Sequence, residues 1–227
     1  TASVTLTGTQ NEINATLANA TGLQFTVGAN GNGTVNLQIV TNDGGFNGTG
    51  GALGDTDNVT ITVNAVNDAP VVSGDGTETA VQVTEDINSN SLTQTFSSLL
   101  SGQYSDATDD QTAFPGGSSA GAFTGVAVTA NGSSAGVGQW QAWNGASWVN
   151  IGAASEAVAQ VFSASTAIRF SPAANYNGPA PSLTVVLIDN SGAVIPFGED
   201  RDVSTHGGTA PYSTGTDVWM AWQFNRH

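Results

Sequence analysis

The stretch from Asp55 to Val72, DTDNVTITVNAVNDAPVV, does most to restrict what this chain can become. From Asn58 to Ala65, apolar and polar residues alternate with period two, the pattern of a strand with one buried face. Asn67-Asp68-Ala69-Pro70 then ends it. Pro70 has no N–H to give a sheet and a fixed φ, so the chain must leave the sheet there. The stretch therefore reads as an exposed acidic turn, one strand and a stiff acidic joint. Asp55, Asp57 and Asp68 put carboxylates near that joint, and hard oxygen donors between two β-units are what calcium takes.

Charge narrows the partners. The chain carries 18 acidic residues against three arginines and no lysine, a formal net charge of −15. Nucleic-acid binders neutralise phosphate with basic patches, so that class is excluded. An anionic membrane surface repels such a chain for the same reason. Direct membrane insertion is not expected either, since no run approaches the ~18 apolar residues of a spanning helix. There is no cysteine, which removes disulfide scaffolds, thiol nucleophiles and thiolate–zinc sites. Gly, Ser, Thr and Asn dominate, with Thr and Val suited to strands and Gly and Asn to turns.

An internal repeat is present. Residues Leu23 to Gly33 match Ile168 to Gly178 at one constant offset, with Phe25 and Phe170, Asn30 and Asn175, Asn32 and Asn177, Gly33 and Gly178 coinciding. After a one-residue slip, Leu37–Gly44 runs beside Leu183–Asn190. Upstream, Thr9-Gln10-Asn11-Glu12 is a capping-box pattern before Ile13 and Leu17. Ala153-Ala154-Ser155-Glu156 holds the equivalent place before Val158, Val161 and Phe162. Each unit is thus expected to contain a short helical turn, a strand, an Asn/Gly turn and another strand ending in Asp. The first unit, 1–68, is expected to lack its opening strands, because a β-sandwich needs ~100 residues. The second, 69–227, has strand candidates at 80–84, 93–97, 124–130, 138–143, 147–151, 167–170 and 182–188. Seven short strands with turn signals between them predict an all-β sandwich.

VTLTGTQNEINATL, LQFTVGANGNGTVNLQIVTNDGG and DTDNVTITVNAVNDAP resemble the cadherin-like repeats of giant bacterial surface adhesins of the RTX and biofilm-associated types. The second unit, through GGSSAGAFTGVAVTANGSSAGVGQWQAWNGASWVNIG and IRFSPAANYNGPAPSLTVVLIDNSG, is similar to the longer repeats of the same proteins. The terminal strand with its Asn-Asp-Ala-Pro joint is the most specific part. The resemblance implies tandem cadherin-like or Ig-like β-sandwiches joined by a short acidic linker, calcium at linkers and loops, and a stalk or adhesive role outside the cell; it does not imply an enzyme, and none is expected. The chain departs from the pattern at its end. Where a Thr/Val strand and another joint are expected, it reads Trp219-Met220-Ala221-Trp222-Gln223-Phe224. The period-two face Val218, Met220, Trp222, Phe224 is strongly apolar.

Candidate metal ligands fall into two groups. Asp55, Asp57, Asn67 and Asp68 from the first unit, with Glu85 and Asp86 from the second, form a joint set for calcium. Solvated turn acids that keep a sheet edge soluble are the competing reading. Asp106, Asp109 and Asp110 form a loop set whose spacing fits no EF-hand. Asp43 and Asp189, at matching positions after strands, read as turn caps. Glu199, Asp200 and Asp202 surround Arg201, which pairs with one of them in the simplest reading. Trp140, Trp143 and Trp148 flank the Asn144-Gly145 hairpin signal, and packing across the hairpin or into the core outweighs stacking on sugars. Neither His206 nor His227 sits in a triad or metal spacing.

Two functions from different classes follow. In one, the chain is a calcium-stiffened segment of an extracellular adhesin or surface fibre, mediating attachment between cells and surfaces or within a biofilm. Its partners would be neighbouring repeats or copies of itself. Val218, Met220, Trp222 and Phe224 would then complete the next molecule by strand addition, giving a head-to-tail filament. In the other, loops 103–122 and 189–215 form a calcium-dependent site for a surface glycan or peptide.

Overall fold

The computed structural model describes residues 3–46, 49–73, 81–219 and 222–226. The protein is all-β with a few short helices. The first part holds helix α1 (Gln10–Ala18) and one hairpin, β1 (Gly33–Asn42) with β2 (Gly54–Val63). After Pro70 come β3 (Val71–Val72), β4 (Val81–Thr84), β5 (Gln94–Thr95), the single-turn helix α2 (Phe96–Leu100) and β6 (Tyr104–Ser105). The body of the second part follows with β7 (Gly125–Asn131), β8 (Gly138–Trp143), β9 (Trp148–Asn150), β10 (Ala159–Ser163) and β11 (Ala167–Pro172). It closes with β12 (Gly178–Pro179), β13 (Leu183–Ile188), β14 (Glu199–Arg201), β15 (Tyr212–Trp219) and β16 (Trp222–Asn225).

Two sheets share one core. A five-stranded sheet runs β14-β10-β7-β13-β15 and a four-stranded sheet runs β5-β11-β8-β9. Val126, Val128, Phe162, Leu183, Val185 and Leu187 from the first meet Trp140, Ala142, Ile168 and Phe170 from the second. Helix α2 adds Phe96 and Leu100, both fully buried. Trp140 lies at the centre, 5.2 Å from the Phe170 ring and 5.5 Å from that of Trp222, and its indole N–H donates to the Pro181 carbonyl at 2.8 Å. The central strands β7 and β13 are apolar on both faces, since their outer residues Ala127, Val186 and Ile188 are buried with Val161 and Val203 in a smaller cluster.

The terminal segment serves two sheets. β15 pairs antiparallel with β13, and β16 passes to another sheet, where it lies parallel to β4. Trp222 and Phe224 are 3% and 1% exposed in the core of their own molecule. The expected assembly face is thus built inward at its two described side chains. Val218 is placed by its backbone pairing with Thr184, and Met220 lies outside the described residues.

The repeat is reproduced in backbone detail at its turn. Asn30 and Asn175 both adopt left-handed φ, 60° and 59°, and Gly33 and Gly178 follow at 114° and 149°. Matching N–H groups, of Gly31 to Gly28 O and of Tyr176 to Ala173 O, close both turns at 3.1 and 3.0 Å. Elsewhere the units diverge. The helix expected after Thr9 forms, with the Thr9–Glu12 capping box complete. Its counterpart does not: Ser155 and Val158 make an isolated bridge and Ala159–Ser163 is strand β10. Partner strands decide this, because β10 is held by β7 on one edge and β14 on the other. Conversely, residues 24–28, expected as a strand, have no regular structure, whereas β11 at the equivalent position is paired with β8 and β5.

Candidate cation site

Asn67-Asp68-Ala69-Pro70 is docked onto the second part of the molecule. The Ala69 N–H donates to Gly208 O at 2.7 Å, and Pro70 O accepts from Thr214 N–H at 2.9 Å. Ala69 and Pro70 are buried. Proline suits this position because its carbonyl is used and an N–H is not needed.

Acidic side chains from two other segments, the loop 106–109 and the end of β13, meet this joint. The Asp68 N–H donates to Asp109 Oδ1 at 2.8 Å. The Asn67 amide donates to Asp189 Oδ2 at 3.2 Å. Asp189 uses its other oxygen to accept from the N–H and hydroxyl of Ser191, so it caps the turn after β13 as its sequence position predicts. Asp106, at the end of β6, is only 5% exposed. Its Oδ2 accepts from Gly121 N–H at 2.8 Å, while its Oδ1 is buried with no hydrogen-bond partner. A Cβ on Gly121 would stand 2.2 Å from Asp106 Oδ2, so this close approach requires glycine. The neighbouring Tyr104 hydroxyl gives its single proton to Gly121 O.

The electrostatics follow from that crowding. Burial, and then the charges of Asp109 and Asp189, push the Asp106 carboxyl above its ordinary value. Burial also raises Asp109, joined by the charges of Asp68 and Asp189 and opposed by the Asp68 N–H. The Tyr104 phenol is raised by burial and then by Asp106. Like charges held together disfavour ionisation unless something positive neutralises them. Among the described residues no group of three or more Asp, Glu, His or Cys side chains converges tightly enough to hold an ion. The acids surround the joint rather than meet at a point. One carboxylate oxygen of this set, Asp106 Oδ1, is orphaned in the interior, where an unpaired acceptor is costly.

The sequence grouping is thus re-sorted. Of the expected joint set, only Asn67 and Asp68 are at the joint. Asp55 and Asp57 lie on β2, opposite Thr41 and Ile39, with Asp55 accepting from its neighbour Thr56 N–H. Glu85 and Asp86 follow β4, where the Glu85 N–H bonds Asn225 O, and neither exchanges a hydrogen bond with the cluster. Asp110 turns away to cap Thr112, whose hydroxyl and N–H lower its pKa. Asp189, read only as a turn cap, is the member that sequence grouping missed, although its place after the β13 apolar run was visible. Asp43 caps Gly45 and Leu53, as expected. Arg201 donates to the Val194 carbonyl rather than to an acid.

No protein family, curated protein or solved structure matches this chain. Among the described residues no helix is long and apolar enough to cross a membrane.

Proposed function

We propose that this chain is a segment of a bacterial extracellular adhesin or surface fibre, built from tandem cadherin-like β-sandwiches and stiffened by calcium at the Asn67–Pro70 joint. The observation that carries the reading is Asp106: a buried carboxylate with an orphaned oxygen, set beside Asp109 and Asp189 where the joint docks. A cation there would be held by Asp106, Asp109 and Asp189, with Asp68 from the joint itself. These carboxylates would orient toward it and exchange mutual repulsion for attraction. The joint would then be tied to the second unit by metal as well as by the Ala69, Pro70 and Asn67 hydrogen bonds. An array stiffened at each joint resists bending because each unit touches only its neighbours.

Thermal unfolding in calcium, in EGTA and in magnesium tests this. A cation bound only by the folded state adds about 2.7 kcal/mol at a hundredfold excess over its dissociation constant. The expected result is a calcium-specific rise in Tm that is lost in Asp109→Asn. An unchanged Tm in calcium would overturn the reading.

A further inference from the structure

The outward face of the four-stranded sheet carries an array that the core does not use. Trp143 and Trp148 are cross-strand partners on β8 and β9, with ring centroids 5.4 Å apart, and Trp143 is 37% exposed. The Arg169 guanidinium, on β11, lies over the Trp148 ring at 4.2 Å. Its Nε donates to Gln141 Oε1 at 2.9 Å and its Nη1 donates to Asn90 Oδ1. Gln141 Nε2 in turn donates to Asn150 Oδ1 at 2.9 Å.

This chain of bonds has a fixed polarity. Arginine has donors only, so Gln141 and Asn90 must both turn their oxygens toward it. The Gln141 NH2 then faces Asn150, which must present its own oxygen. Every amide oxygen of the relay therefore accepts one internal hydrogen bond. The donors left for a partner are the NH2 of Asn90, the NH2 of Asn150, one N–H of Gln141 and three of the five N–H groups of Arg169. Among the described residues no carboxylate lies within ion-pair distance of Arg169, so its charge is not neutralised by a neighbouring acid in a chain of net charge −15. The face is a donor array beside an exposed indole.

We infer that this face binds a carboxylated sugar, such as a uronic acid residue. The carboxylate would take the free N–H groups of Arg169, whose fork matches it in the plane. The apolar side of the pyranose would lie on Trp143, and the Asn150 and Asn90 amides would donate to ring hydroxyls. The overall negative charge repels long polyanions, so the preferred ligand is a short or terminal acidic sugar. This site is remote in sequence from the carboxylates of the joint and needs no cation.

The test is titration of the full chain, in EGTA and separately in calcium, with a disaccharide bearing one glucuronate and with its glucose counterpart. Calorimetry and tryptophan fluorescence give the readout. Expected is binding on the order of 1 mM for the uronate, at least tenfold weaker for the neutral sugar, and equal in both buffers. Arg169→Gln and Trp143→Ala should each weaken it about tenfold. Trp143→Ala removes a part-exposed side chain, so it keeps the test open if Arg169→Gln fails to fold. Equal affinity for the two sugars, binding by neither, or full binding by a folded variant would overturn the inference. Loss in EGTA would overturn the claim that the site is cation-independent.

Discussion

β1 and β13 are matching strands of the internal repeat, and the molecule treats them differently. β13 is flanked by β7 and β15 and is buried along nearly its whole length. β1 pairs with β2 alone, in perfect register over ten residues, and yet Val35, Ile39 and Val59 remain more than a third exposed. The apolar pattern was enough to set a strand in both places. It was not enough to create a core, because burial needs a second layer. The same holds for the aligned phenylalanines: Phe170 is fully buried against Trp140 and Phe224, whereas Phe25 is 49% exposed.

Substitution at this pair is the strongest way to break the comparison. Phe170→Ala should cost about 3–5 kcal/mol, as full truncation of a core aromatic does. Phe25→Ala should cost about 0.5 kcal/mol or less, the range of surface changes. Denaturant unfolding of both variants measures the difference. If Phe25→Ala proved as damaging as Phe170→Ala, the first unit would have to be packed in solution against something that buries it.

Local signals were read correctly wherever the chain decides its conformation alone. The Asn30 and Asn175 turns, the Asn144-Gly145 hairpin with Asn144 Oδ1 accepting from Ala146 and Ser147, and the Thr9 capping box all follow from short-range chemistry. The strands at 125–131, 138–143 and 183–188 were legible because continuous or alternating apolar runs need no partner to be recognised. β10 was not, because Val158, Val161 and Phe162 fit helical spacing as well as strand spacing, and only β7 and β14 decide between them. The candidate site was half legible for a related reason. Asn67, Asp68, Asp106 and Asp109 could be named from their motifs, but that Asp189 joins them, and that Asp55, Asp57, Glu85 and Asp86 do not, depends on where the loops fold back.

A medium effect separates the buried acid from its exposed relatives. Asp106 has a native pKa raised above the ordinary 3.8. Its contribution to stability without metal is therefore fully present below that value and is lost as the pH rises through the elevated native pKa. Asp202 behaves oppositely: its pKa is lowered by the Ser204 hydroxyl and N–H, so its contribution is present above the ordinary value and lost on acidification. Comparing Asp106→Asn with the unaltered chain cancels the Asp202 background. In EGTA at pH 7 the variant should be more stable, by about 1–3 kcal/mol if it relieves an uncompensated buried charge, with the advantage vanishing below pH 3.8. In calcium the order should invert, because the variant loses a ligand. Paired Tm curves against pH in the two buffers measure this, and an order that never inverts would remove Asp106 from the cation site.

The smallest effect sharpens the contrast between α1 and β10. No residue of α1 is buried, so the helix rests on its own cap rather than on packing. Thr9→Ala should cost about 1 kcal/mol of local helix stability. Faster amide exchange is expected from Ile13 to Ala18, while the unfolding midpoint of the second unit stays unchanged. Acidification should mimic the substitution. The Thr9 N–H and hydroxyl hold Glu12 below the ordinary 4.5, so the box is intact above that value and weakens as the pH falls through the lowered one. The matching substitution Ser155→Ala sits beside a strand held by two neighbours and should leave the exchange of Val161 and Phe162 unaltered. Equal protection loss in both variants would show that β10 depends on a local cap after all, and the two units would then differ by less than their pairing implies.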